Sequence, residues 1–139
     1  MIQFRFDPAT EFITAAAFEP DDHLLPHLPG DSSYVELVYA GIVGPTALLA
    51  YRRLVRAVTA APGPVRLEVA ELEASLGVGR AIALRGIERC VGCRFAHLDG
   101  DSLAVHTAIP VITERHYERL SVTARSDHHR LLRELPAAS

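Results

Sequence analysis

Lysine does not occur in this chain: all 14 positive charges are arginine. A Walker A phosphate loop and Schiff-base chemistry both need a lysine amine, so neither is open to it. Cysteine is scarce, with two residues in 139. In a reducing compartment such a pair is expected to be thiols or metal ligands rather than a structural staple. No apolar run approaches the roughly 20 residues of a membrane span. The opening "MIQFRFDPAT" has neither the basic region nor the apolar core of a secretory signal, so the expected location is cytoplasmic and no membrane partner is expected. Also missing are a Gly-x-Ser-x-Gly elbow, a glycine-rich phosphate loop, a paired-carboxylate cluster, an internal repeat and any low-complexity tract. A protein that is not an enzyme, and that needs no cofactor, is the expectation.

What is present is an ordinary globular composition, 49% hydrophobic and 22% charged, at a length suited to one domain. The net charge of -3 conceals an asymmetry. Up to Val43, seven acids (Asp7, Glu11, Glu19, Asp21, Asp22, Asp31 and Glu36) face one arginine, giving -6; from Gly44 onward 13 arginines face 10 acids, giving +3. The mildly basic part is also the part with the clearer folding signals.

Residues 7 to 33 mix acids, prolines and serines with scattered apolar residues and read as an irregular arm, with "IQFRF" before them as a short edge strand. "YVELVYAGIV" is β-branched and aromatic, which predicts a strand from Tyr34 to Tyr39. Gly44-Pro45-Thr46 then opens a helix, with Leu48, Tyr51, Leu54, Val55 and Val58 on one face and Arg52, Arg53 and Arg56 largely on the other. "VRLE" follows as a short strand, and "VAELEASLG" as a helix with Val69, Leu72 and Leu76 at helical spacing and Gly77 as its stop. A second helix, "RAIALRGIERCVG", carries Ala83, Ile87, Cys90 and Val91 along one side, and the two together make a helix-turn-helix. In "RFAHLDGDSLAVHTAI", Leu103, Val105, Thr107 and Ile109 alternate with Ser102, Ala104, His106 and Ala108, and Asp99-Gly100 is a strong hairpin signal.

The order helix, strand, helix, helix, strand, strand predicts an α+β, mainly helical fold of the winged helix-turn-helix kind. An acidic arm would span 1–33, the winged helix domain 34–110 and a helical extension 111–139. In that extension "TERHYERL" and "SVTARSDHHRLLREL" read as two helices, the second beginning near Asp127, with Leu131, Leu132 and Leu135 on its apolar side. Such a pair either packs on the first helix or makes a homodimer.

"YVELVYAGIVGPTALLAYRRLVR", "VAELEASLGVG", "RCVGCRFAHLDGDSLAVHTAIP" and "ERHYERL" resemble a group of uncharacterised actinobacterial winged helix proteins, over Tyr34 to about Leu132. The resemblance implies the winged helix fold and, by analogy with that fold, DNA binding. One departure stands out: the relatives begin the recognition helix with polar residues of a Gly-Arg-Asn-Ser-Pro kind, and this chain has Gly79-Arg80-Ala81-Ile82-Ala83. Polar residues there would reach base edges, so the departure weakens base-specific reading and leaves phosphate contact open.

Double-stranded DNA as partner calls for basic side chains on the recognition helix, about Gly79 to Gly92, and on the wing at 94–107. Arg80 and Arg85 fall in its first two turns, in or beside the major groove, and Arg89 and Arg94 point toward phosphates, with Glu88 opposing them. The alternative is that these arginines form a solvated face, that Glu68, Glu71 and Glu73 on the preceding helix repel phosphate, and that the domain is a protein-interaction module. A metal reading is also available: Cys90, Cys93, His97 and His106 could supply four zinc ligands, although they lack a second tight ligand pair and Cys90 occupies a periodic core position. A redox role for the Cys-x-x-Cys pair is disfavoured by its place at a helix C-terminus, where the dipole opposes a thiolate. His23, His27, His116, His128 and His129 make no ligand set and read as surface residues.

Overall fold

A computed structural model describes residues 4–21 and 25–135 of the chain. The stretch Tyr34–Tyr39 proves helical and not extended. Ser32 accepts a hydrogen bond from the Val35 N–H, and Glu36 lies in the first turn, where the helix dipole favours an acid. Helix α1 (Ser33–Val43) buries Tyr34, Val35, Val38, Tyr39, Ile42 and Val43. Their spacing covers one face of a helix, and that periodicity outweighs the strand propensity of the individual residues.

Helix α2 (Pro45–Thr59) begins with proline at its first turn and buries Leu48, Tyr51, Leu54, Val55 and Val58, the face expected from the spacing. Strand β3 (Val65–Glu68), helix α3 (Val69–Leu76) and helix α4 (Arg80–Gly92) follow as expected, and Gly77 closes α3 in the left-handed conformation. Strands β4 (Ala96–Asp99) and β5 (Ser102–His106) form the expected hairpin. Asp99 pairs with Ser102, so the loop residues are Gly100 and Asp101, one position later than the Asp-Gly signal implies. Gly100 takes φ 63° and Asp101 does not have a positive φ, which suits a type II′ turn with glycine at its first central position.

The largest correction concerns residues 7–33. Instead of an irregular arm they hold strand β1 (Phe12–Phe18) and strand β2 (His27–Pro29). β1 inserts into the sheet, which has the order β3-β1-β5-β4. It runs antiparallel to β3, with Phe12 opposite Glu68, and parallel to β5, from Thr14 opposite Ser102 to Phe18 opposite His106. Ile13 and Ala15 point into the core while Phe12 and Thr14 are exposed, an alternation muted by the run Ala15-Ala16-Ala17. Of the "IQFRF" segment, Phe4 to Phe6 form no strand, and Ile2 and Gln3 lie outside the described residues. β2 pairs with β6 (Ala108–Pro110) in a separate two-stranded sheet.

At the C-terminal end, Thr113 caps the single turn α5 (Glu114–Tyr117) and Ser121 caps α6 (Val122–Arg133), which therefore starts before Asp127. α6 lies on α1, and Leu131, Leu132 and Leu135 pack against the chain's own core. The Tyr34 hydroxyl fixes that docking: it accepts from the Ile112 N–H at 3.2 Å and pairs with His128 Nδ1 at 2.8 Å. Two further buried tyrosines join helix to strand, Tyr39 donating to the Pro110 carbonyl and Tyr51 to the His106 carbonyl. Gly30 is required beside the latter, because a Cβ there would overlap the Tyr51 ring and hydroxyl.

The described residues thus make an α+β fold of six helices with a small mixed sheet. No helix among them is long and apolar enough to cross a membrane. If β1 is a core strand, Ile13→Ala removes a side chain that is 6% exposed and lowers unfolding free energy by about 2–4 kcal/mol. Urea denaturation measures it, and a change under about 0.5 kcal/mol, the level of a surface site, contradicts the assignment.

Candidate nucleic-acid interface

Helix α4 packs on α2, with Gly86 on the contact face. A Cβ at that position would lie 3.4 Å from Thr46 Cγ2 and 3.6 Å from Ala50 Cβ, so α4 rests closely on α2 there. Those distances are ordinary van der Waals contact, so an alanine would also fit between the two helices. Ala83, Leu84, Ile87 and Cys90 are buried on the same side. The opposite side of the first two turns, Ala81, Ile82 and Arg85, is exposed.

The four arginines of this segment have different surroundings. Arg80, at the start of α4, stands 3.9 Å from Glu73 of α3. Arg85 is exposed and has no ion pair among the described residues. Arg89 turns back on the fold: its Nε donates to the Val43 carbonyl and an Nη to the Ile42 carbonyl at 3.4 Å. Those carbonyls end α1, and a cation satisfies both their free lone pairs and the negative end of the helix dipole. The phosphate-contacting role expected of Arg89 thus competes with a structural one.

Arg94 occupies the residue after the C-cap of α4 with φ 65°, the one positive φ outside glycine among the described residues. The Arg94 N–H donates to Val91 and the Phe95 N–H to Cys90, the paired bonds of a Schellman motif. Glycine is the usual occupant, and a side chain there costs about 1 kcal/mol. The conformation turns the chain from α4 into β4 and leaves the Arg94 side chain in solvent.

Glu88, the acid that the sequence sets against these arginines, is withdrawn from the surface. Its side chain is 8% exposed; one carboxylate oxygen accepts from the Phe6 N–H at 2.8 Å and the other pairs with the Arg5 guanidinium at 3.0 Å. The N-terminal segment therefore lies against α4 and brings Arg5 to it. No sequence signal marks this contact, because the partners are more than 80 residues apart.

The candidate zinc ligands do not converge. Cys90 is buried with its thiol directed at the Ala47 carbonyl, and Cys93 donates to the Arg89 carbonyl. Burial pushes both thiols up, away from the thiolate. His106 lies opposite Phe95, not Cys93, with its N–H bonded to the Phe95 carbonyl. Among the described residues no group of three or more His, Cys, Asp or Glu is arranged to hold a metal ion. His97 and His106 instead pair with one another, Nδ1 to Nε2 at 2.8 Å, under the Phe18 ring. In this pair one ring nitrogen donates and the other accepts. His116 is half-buried on α5, and His128 and His129, read as surface residues, pair with Tyr34 and Tyr117 respectively; His23 lies outside the described residues.

No known protein family, curated protein or solved structure matches the chain.

Burial, then His97 and His27, holds His106 below the ordinary histidine value, and burial, then His129, does the same to His128. A histidine whose folded pKa is depressed binds fewer protons than in the unfolded chain, so stability is full above the unfolded value of about 6.5 and falls as pH drops through it. Urea unfolding free energy is expected to decline from neutral pH toward about 5.5, and the decline to flatten in a His106→Gln, His128→Gln variant. An equal decline in both proteins would contradict the assignment to these residues.

Proposed function

We propose that the chain is a winged helix DNA-binding protein, a non-enzymatic transcription regulator that lays α4 along duplex DNA and flanks it with the β4–β5 hairpin. The order α2, β3, α3, α4, β4, β5 supports this reading, with β1 as an added strand within the sheet. The observation that carries it is the neutralisation of Glu88: the only acid on α4 is covered by Arg5 and the Phe6 N–H, while Arg85 and Arg94 stay exposed without ion pairs among the described residues. Basic groups free of acidic neighbours are what phosphate contact and counterion release need. Arg85 and Arg94 carry the contact in this reading, Arg80 joins them when it leaves Glu73, and Arg89 serves chiefly to hold α1 against α4.

A second reading, a protein-interaction module, is favoured by Ile82, which is 48% exposed in the first turn of α4, where a base-reading residue would stand. A homodimer through the C-terminal helices draws less support, because Leu131, Leu132 and Leu135 are used within the chain.

Two measurements test the DNA reading. Fluorescence anisotropy with a labelled random duplex across a salt series should give a log K versus log salt slope that becomes shallower by about 1 for each phosphate contact removed. Arg80→Glu, Arg85→Glu should therefore bind more weakly and with a shallower slope; binding equal to wild type at low salt ends the proposal. Arg94→Gly should move stability and binding in opposite directions, gaining about 0.5–1 kcal/mol in urea unfolding by relieving the left-handed side chain while losing DNA affinity. A stabilised variant with undiminished DNA binding would take Arg94 out of the interface.

A further inference from the structure

Residues of α2, α3, α4 and the β1–β3 edge of the sheet border a half-open cavity of about 340 Å³. Its walls are apolar at depth, formed by Ile13, Leu54, Leu67, Leu72 and, from α4, Ile87. Arg53 and Arg56, both exposed and three residues apart on α2, line it as well. A second cavity of about 220 Å³ adjoins it along the α2–α3 groove, and Arg53, Arg56 and Ser75 line both. The two arginines are therefore shared by both spaces.

Neither arginine has an ion pair among the described residues, although Glu68 and Glu71 line the first cavity. Those acids are accounted for locally: they lie at the N-terminal end of α3, where the dipole favours carboxylates, and the Ser75 hydroxyl donates to Glu71. Neighbouring Arg52 is engaged, bonding to the Asp31 carbonyl and pairing with Glu36. Arg53 and Arg56 alone among the three are left to meet a ligand.

We propose that this cavity is a binding site for a small apolar molecule bearing a carboxylate or sulfonate, its body among Leu54, Leu67 and Leu72 and its anionic end between Arg53 and Arg56. The volume is within the range of natural ligand pockets, roughly 300–1,000 Å³, and the lining matches their pattern of mainly apolar walls with a few convergent polar groups. Two planar guanidiniums match the two oxygens of a carboxylate or sulfonate better than ammonium groups would. The site goes beyond DNA binding and stands without it; the link between them is Ile87, which places part of α4 against the ligand.

The test is a fluorescence titration of the full chain with 8-anilinonaphthalene-1-sulfonate, followed by competition with decanoate and with decyltrimethylammonium. Saturable one-to-one binding, displaced by decanoate and not by the cation, is expected. Arg53→Gln, Arg56→Gln replaces two exposed side chains and should keep the wild-type melting curve while weakening binding by about tenfold or more. Ala57→Phe, which fills the cavity from α2, should remove binding. Absence of saturable binding, equal displacement by the cationic amphiphile, or undiminished binding in the folded arginine variant overturns the proposal. No DNA enters the experiment, so its outcome is separate from that of the DNA titration.

Discussion

β1 is hydrogen-bonded along both edges, and the remaining layers take their positions from it. A strand in the middle of a sheet must have its N–H and C=O groups paired, since an unpaired buried group costs about as much as a lost hydrogen bond. β3 supplies one set of partners and β5 the other. With the sheet so joined, α2 packs over β1 and β5, and α4 in turn rests on α2 at Gly86. The exposed side of α4, with Arg85, is thus oriented by a strand that lies more than 60 residues earlier in the chain.

Buried tyrosines hold the helices in register on this frame. Tyr39 and Tyr51 each donate to a strand-side carbonyl, and Tyr34 links Ile112 to His128. Burial raises the pKa of all three, which favours the protonated hydroxyl that these contacts use. A hydrogen bond of this kind adds about 1 kcal/mol net, but leaving its buried carbonyl unpaired costs about 1–3 kcal/mol, so the contacts specify position more than they add stability. Where the helices can sit is in this way limited by a few polar atoms within a core that otherwise holds no buried polar or charged residue among the described ones.

From α2 to β5 the architecture was legible in the sequence because every signal there is local: proline at a helix start, glycine at a helix end, apolar residues at helical spacing, and a turn glycine between alternating strands. Tyr34, Val35, Val38 and Tyr39 have strand-favouring side chains and so point to a strand one residue at a time, but their spacing is helical and Ser32 caps them. β1 leaves little local trace, since three alanines in a row give almost no contrast between its faces and its parallel partner is remote in sequence. The candidate interface divides in the same manner. Arg80, Arg85 and Arg94 were visible as charges on a helix and its exit, whereas the use of Arg89 on α1 and the cover that Phe6 gives Glu88 depend on partners 46 and 82 residues away.

The central place of β1 also bears on how the chain is made. Thr14 leaves the ribosome 88 residues before Ser102, the residue it faces in the sheet. At synthesis rates of about 5–20 residues per second, that interval is several seconds. During it the nascent chain holds an inner strand of its sheet without the β5 neighbour that will flank it, so the earliest of the described strands is among the last to be completed. β1 is the longest of the described strands, and its seven residues carry no charge and no proline while Phe12 and Phe18 stay exposed, so until β5 arrives it is the segment of the nascent chain with most to offer an unwanted partner strand.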